Sequence, residues 1–221
     1  MSANPQSEWF RVERLSMVEA QLRARGIRDS RVLGAMAQVP REEFVAAALR
    51  RQAYEDHPLP IGEGQTISQP YIVAVTLEGL ALTPEDVVLE IGAGSGYQTA
   101  LLAELCGQVY SIERHQSLVD SARAVLDRLG YNNVAIEVGD GSQGLPRPAP
   151  FDAIAVSAAA PQIPPPLFDQ LKEGGRMVIP VGPEEAQQLQ LVEKKQGVPF
   201  ITVLEPCRFV PLIGTDAYPA K

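Results

Sequence analysis

Glu90-Ile91-Gly92-Ala93-Gly94-Ser95-Gly96-Tyr97 places an acid ahead of three alternating glycines, after a short apolar run and before a helical pattern. In that strand–turn–helix setting a glycine motif marks close approach of a ligand to the backbone. Gly92 and Gly94, flanking Ala93, carry no side chain to hold a ligand away, and Gly96 lets strand and helix pack tightly. Glu113 ends the next strand, followed by Arg114, and a carboxylate there can accept from both hydroxyls of a ribose. Asp140, in Gly139-Asp140-Gly141 after a third strand, can accept from an adenine amino group. Glu90 itself can meet a charged amino group. These groups fall on loops at one edge of one sheet, and they suit a nucleoside.

A dinucleotide fingerprint would need glycine where Tyr97 stands, and no phosphate-binding lysine or serine follows the G-x-G-x-G spacing. S-adenosylmethionine, with ribose and adenine but no pyrophosphate, fits that pattern.

Alternating strands and helices are needed to position these residues. Residues 70–82 read as an apolar helix, 87–91 as a buried strand and 98–105 as a helix. Strands follow at 109–112, 134–138, 152–156 and 176–180, with helices at 117–129 and 165–171. Strands near 189–193 and 201–209 can form an antiparallel hairpin through Gln196-Gly197. The alternation predicts an α/β fold, a doubly wound Rossmann-like sheet with ligands at the carboxyl ends of its strands. Residues 8–51 read as helices: a first stopped by Gly26, a second capped by Asp29 or Ser30, and a third opened by Pro40 and carrying Phe44, Val45 and Leu49. Over residues 54–69 periodicity is lost, and Pro58, Pro60, Gly62 and Gly64 mark an irregular loop, a place to expect function. The expectation is a single domain over 1–221, with N-terminal helices and loop to residue 69 and a Rossmann-like core over 70–221.

Composition narrows the partners. The 221 residues carry a formal charge of −8, which disfavours nucleic acid, since phosphate binding draws on Lys and Arg. Arg11, Arg14, Arg23, Arg25, Arg28 and Arg31 interleave with Glu13, Glu19 and Asp29, so a solvated helix face is expected rather than a basic patch. No apolar run is long enough to cross a membrane, and residues 1–14 have no secretory apolar region. Cys106 and Cys207, with His57 and His115, form neither a disulfide framework nor a metal-ligand set. A cytoplasmic protein is expected, without metal or membrane partner, and a monomer because no apolar association helix is left over.

Over residues 17–213 the chain resembles the bacterial protein-L-isoaspartate O-methyltransferases. The resemblance is carried by Val39-Pro40-Arg41-Glu42-Glu43-Phe44, by Leu59-Pro60-Ile61-Gly62-Glu63-Gly64-Gln65-Thr66-Ile67-Ser68-Gln69-Pro70, and by the glycine motif through Thr99. Gly139-Asp140-Gly141, Pro150-Phe151-Asp152-Ala153-Ile154, Pro180-Val181-Gly182 and Arg208-Phe209-Val210-Pro211-Leu212 complete it. The glycine turn alone would mean only a class I methyltransferase; the loop from Gly64 to Pro70 is the specific element. The family resemblance implies methylation of the free α-carboxylate of isoaspartyl residues in damaged proteins, with ester closure to succinimide opening a route back to aspartate. It implies Ser68 as the active-site residue. It places Glu90, Gly92, Ala93, Gly94, Gly96, Glu113, Arg114, Asp140 and Gly141 around the cofactor, with Ile67 and Gln69. The resemblance puts Thr66 on the substrate side beside Ser68, and folds Val210 and Leu212 back beside the substrate, though by pattern they are ordinary strand residues. Ala158 and Ala159, in the small, apolar stretch Val156 to Pro161, either let a peptide approach or form a plain strand-to-helix connection. Two positions depart from the family: Ser142, often a large residue, and Tyr71, often histidine.

A carboxylate is ionised at neutral pH and needs no base, which accords with the lack of a prominent His, Cys or Lys. Ser68 would donate to one carboxylate oxygen and leave the other aimed at the methyl; its alternative role is to cap the helix at Pro70, which Ser68 or Gln69 could serve. His57, in the irregular loop, is expected on the surface, and Trp9, Tyr54 and Tyr71 in core or lid packing. Three rival functions are weaker. Amino-methylating nucleic-acid enzymes need Asn or Asp before Pro-Pro-aromatic where this chain has Ser157-Ala158-Ala159-Ala160-Pro161, and Pro206-Cys207 lies too late for a cytosine enzyme. A catalytically silent module would have no use for the Ser68 loop. A small-molecule carboxyl methyltransferase would prefer free acids to an isoaspartyl peptide.

Overall fold

The computed structural model describes residues 5–219. Helix α1 (Pro5–Met17) runs into a π turn (Val18–Leu22) and a 3-10 turn (Arg23–Arg25), and Gly26 stops the run at φ 105°. Phe10, Met17, Val18 and Leu22 are buried, whereas Trp9 lies on the surface rather than in core or lid packing. Helix α2 (Ser30–Gln38) is capped by Asp29, whose carboxylate accepts from the amides of Arg31 and Val32. The third helix expected after Pro40 is instead two 3-10 turns, Arg41–Phe44 and Ala47–Gln52, separated by extended Val45. Arg41, Glu42, Phe44 and Val45 are all buried, and the backbone turns extended at Val45 (φ −127°, ψ 158°), so no α-helix runs through it.

The expected irregular loop holds a small antiparallel hairpin, β1 (Leu59–Gly62) and β2 (Gln65–Ile67). Its turn runs through Gly62, Glu63 and Gly64 at φ 100°, 51° and 68°. Two glycines make three successive left-handed residues tolerable. Helix α3 (Pro70–Leu80) follows with proline in its first turn.

The core then alternates: β3 (Val87–Ile91), α4 (Tyr97–Leu105), β4 (Gln108–Glu113), α5 (Gln116–Leu129), β5 (Val134–Val138), β6 (Phe151–Val156), α6 (Pro165–Asp169) and β7 (Leu171–Val181). The hairpin expected at the C-terminus is β8 (Gln187–Lys195) and β9 (Val198–Cys207), turning at Gln196-Gly197. One seven-stranded sheet runs β5-β4-β3-β6-β7-β8-β9. Pairings from β5 through β7 are parallel, and β8 is antiparallel to both neighbours. Strand β7 starts earlier than expected, and α6 is correspondingly only 5 residues long.

Alternation along the central strands divides the core. Val88, Ala153 and Ala155 face a cluster containing Phe10, Leu22, Met36 and Leu77, so the N-terminal helices and the sheet share one apolar layer. Leu89, Ile91, Ile154 and Val156 face the opposite layer with Leu167, Met177 and Leu212. Chain order reverses between β3 and β6, which opens a crevice at the carboxyl end of β3.

Candidate active site

A cavity of about 230 Å³ lies at that crevice. Its floor is the glycine turn after β3: Gly92, Ala93 and Gly94 line it. Gly92 and Gly94 have φ 90° and 52°, a conformation that favours glycine. Gly96 is behind the wall. It also has positive φ, and a Cβ there would stand 3.1 Å from the Ala122 Cβ, so its place is the close packing of the start of α4 against α5 rather than of a strand against a helix.

Glu113 reaches the cavity from the tip of β4 and is 5% exposed. One carboxylate oxygen accepts from the Gly94 amide at 3.0 Å, the other from the His115 amide at 3.0 Å. These bonds fix the carboxylate, and a carboxylate oxygen can accept more than one donor. No Lys or Arg pairs with it among the described residues. Arg114 lines the cavity beside it.

Glu90 does not line the cavity. It is fully buried one layer below, accepting from the Thr99 hydroxyl at 2.6 Å, the Ser111 hydroxyl at 2.7 Å and the Gln98 amide at 3.2 Å. Burial pushes its carboxyl up to about 7 against the pull of those three donors. Gln98 does line the cavity and also donates to the Ser157 hydroxyl at 2.8 Å, so Glu90 reaches the site through Gln98.

Asp140 is likewise turned away. One oxygen accepts from the amide and hydroxyl of Ser142 at 2.9 and 2.7 Å, the other from the amide and hydroxyl of Thr215 at 2.8 and 3.1 Å. Burial raises its pKa, but the bonds from Thr215 and Ser142 outweigh that and hold it below the ordinary value. Gly139 and Gly141 supply the wall instead, and a Cβ at Gly141 would meet the Ile91 Cγ2 at 2.5 Å. The Asp140 carboxylate fastens the C-terminal segment, residues 208–219, of which Val210 and Leu212 close the cavity.

The β1–β2 hairpin forms the roof. Thr66, Ile67 and Ser68 line the cavity with Gly64 and Gln65. The hairpin is latched across the glycine turn. The Ser117 hydroxyl donates to Glu63 at 2.7 Å, and the Ile61 methyl would stand 3.2 Å from a Cβ at Gly94. Ser68 does not cap α3: Gln69 is the N-cap residue, with no side-chain cap bond. Gln69 turns outward, its amide donating to the Asp56 carbonyl at 3.1 Å. Ala158 lines the cavity; Ala159 is buried behind it, pairing its backbone with Val210 and Leu212 at 2.8 and 2.7 Å.

Sequence reasoning passed over several lining groups. Gln65, Ser95, Gln98 and Ser157 bring polar side chains to the wall, and only their chain neighbourhood with the motifs could have pointed to them. It left His57 on the surface, where the ring is exposed and accepted by Glu55 and Pro58. The N-terminal arginines are mostly paired on the surface, Arg11 with Glu8 and Arg23 with Glu19. Arg14 is an exception: it turns inward to Glu42 at 3.1 Å and the Tyr54 hydroxyl at 2.7 Å.

A parallel sheet reversing beside β3, a glycine turn at its tip and a fixed acid at the tip of β4 define a class I methyltransferase. The chain belongs to the protein-L-isoaspartate(D-aspartate) O-methyltransferase family, whose sequence pattern matches residues 13–217. It is 57% identical over its whole length to the protein-L-isoaspartate O-methyltransferase of Koribacter versatilis, all of which it covers. It is 58% identical to that of Methanoculleus marisnigri over 97% of this chain and 96% of the relative. Among solved structures, a protein-L-isoaspartate O-methyltransferase superposes with TM-score 0.82 at 31% identity, over 94% of this chain and 67% of that one. A Plasmodium falciparum relative, in complex with S-adenosyl-L-homocysteine, superposes with TM-score 0.79 at 30% identity, over 90% of this chain and 98% of its own.

Proposed function

We infer that this protein transfers a methyl group from S-adenosylmethionine to the free α-carboxylate of L-isoaspartyl residues in damaged proteins. The single observation that carries the reading is the roof: the Ser68 loop closes over the same cavity that the glycine turn and Glu113 floor. Bound there, S-adenosylmethionine supplies an electrophilic methyl on a sulfonium.

The donor set suits that cofactor. Side-chain-free Gly92 and Gly94 admit it to the backbone, and Glu113 can accept from both ribose hydroxyls. Ile67, Ala93, Arg114 and Gly141 complete its surroundings, while Gly96, Glu90 and Asp140 support it from behind the wall. Gln69 takes part only by setting the end of the roof.

No side chain needs to abstract a proton, because the substrate carboxylate arrives ionised. Ser68 lines the cavity, and no hydrogen bond among the described residues engages its hydroxyl. It donates to one carboxylate oxygen and leaves the other free to attack. Thr66, Ala158 and Val210 enclose the isoaspartyl residue, with Ala159 backing Ala158. Joining opposite charges into neutral products is slowed by water around the ions, so enclosure by roof and C-terminal segment supplies much of the acceleration.

The same reading makes the partners isoaspartyl proteins and peptides. It makes the enzyme a cytoplasmic monomer that binds neither nucleic acid nor membrane. The charge of −8 and two unpaired cysteines support this. No described helix is long and apolar enough to cross a membrane.

The test is methyl transfer to paired peptides differing only in L-isoaspartate versus L-aspartate. Base-labile label on the isoaspartyl peptide alone is expected, and Ser68→Ala is expected to lower kcat/KM by about 10- to 100-fold, the range for one positioned hydrogen bond. Label on free acids in preference to the isoaspartyl peptide would overturn the assignment.

A further inference from the structure

Arg41 is the largest fully buried side chain of the described residues, and it is a cation. Its Nε donates to the Ala53 carbonyl at 2.6 Å and its Nη2 to the Ser68 carbonyl at 2.8 Å. The guanidinium lies 4.9 Å from the centroid of the Tyr97 ring, at the start of α4 directly after the glycine turn. Nη1 has no partner, and no carboxylate pairs with Arg41 among the described residues. The neighbouring Glu42 is already committed to Arg14 and to the Tyr54 hydroxyl.

A buried cation without a counterion is costly to keep, and an apolar side chain of similar volume would serve packing better. What the guanidinium does here that an apolar chain cannot is hold two carbonyls at once in a planar fork. One belongs to Ser68. Fixing that carbonyl holds the peptide plane that follows Ser68, one of the two planes that meet at its Cα and so limit where its side chain can point. The ring contact sets the same fork against the element that carries the cofactor turn. Burial lowers the guanidinium pKa only to about 10, so the group remains charged near neutral pH.

We propose that Arg41 is a positioning residue for the transfer: it locks the Ser68 main chain against Ala53 and Tyr97 so that the Ser68 hydroxyl faces the substrate carboxylate. The inference rests on the Ser68 role given above. It acts through Ser68 and has no contact with the cavity of its own.

The experiment is a double-mutant cycle on the full chain with an isoaspartyl peptide: Arg41→Lys, Ser68→Ala and both together. Lysine keeps the cation but holds one carbonyl rather than two. Arg41→Lys is expected to lower kcat/KM by about tenfold in the parent and by less than about twofold in the Ser68→Ala background. Binding of S-adenosylhomocysteine, measured by calorimetry, should change by less than about threefold. Amide exchange should quicken at residues 66–69 while amides of β3 and β6 keep their rates. Equal losses in both backgrounds, or quickened exchange throughout the sheet, would overturn the proposal and make Arg41 merely structural. No effect of Ser68→Ala alone would overturn the Ser68 reading as well, which separates the two failures. Should Arg41→Lys not fold, Arg41→Met is carried through the same cycle, and loss of the fold in both overturns the proposal.

Discussion

At the scale of single residues, Glu90 shows how far a motif can be read. Its place ahead of the glycines suggested direct contact with a charged amino group, but the side chain points into the layer below, among Thr99, Ser111 and Gln98. Period-two alternation assigns a strand residue to a face; it does not say which face meets the ligand. Burial raises the Glu90 carboxyl from 4.5 to about 7, so the folded chain holds a proton that the unfolded chain loses. That stability is fully present below pH 4.5 and is lost as pH rises through about 7. From pH 5 to pH 8 the loss amounts to about 2 to 3 kcal/mol. Glu90→Gln cannot ionise, so urea unfolding should show the variant gaining on the parent by that amount across the interval. A constant gap would mean that the three donors keep Glu90 ionised throughout.

At the scale of elements, the parallel core was legible and its covers were not. Buried strands such as residues 87–91 and the glycine turn before α4 carry their own periodicity and punctuation. The β1–β2 hairpin hides because its strands are 4 and 3 residues long, too short for alternation to register. The helix expected at Pro40 failed because buried Arg41 and Glu42 read as polar surface positions. The Glu113 tip was legible from its motif, whereas Ser68 and the return of Val210 came only through the family resemblance; the clasp that docks the C-terminal segment was not legible, since Asp140, Ser142 and Thr215 meet only after folding. Ser142 is the centre of that dock: its hydroxyl donates to Asp140 and accepts from the Asp216 amide at 3.1 Å. Gly214 lets the strands of chain come this close, since a Cβ there would stand 2.5 Å from the Ser142 hydroxyl. Ser142→Ala should cost about 1 to 2 kcal/mol. Hydrogen exchange should quicken at Thr215 and Asp216 and leave β3 unchanged; unchanged exchange at both amides would show that the dock holds without the hydroxyl.

At the scale of the whole molecule, the N-terminal helices and the sheet draw on one apolar layer, with Leu22 and Met36 packed in the same cluster as Val88 and Ala155. We propose that residues 1–221 are a single domain that unfolds as one unit, so calorimetric and van't Hoff enthalpies should agree. A separate early transition of the helices would contradict this. The cavity draws on positions from Gly64 to Ile213, so no stretch shorter than that brings its lining together. Asp140-Gly141 is the sequence's one Asp-Gly step. Glycine leaves its amide nitrogen unobstructed by any side chain, so this is the step at which an aspartate most easily closes on the next residue to form succinimide. Four hydrogen bonds hold the Asp140 carboxylate toward Ser142 and Thr215 instead. The clasp that fastens the C-terminal segment is thereby expected to shield an enzyme of protein repair from the lesion it repairs, and isoaspartate should build up at Asp140 faster on ageing once Ser142→Ala loosens that clasp.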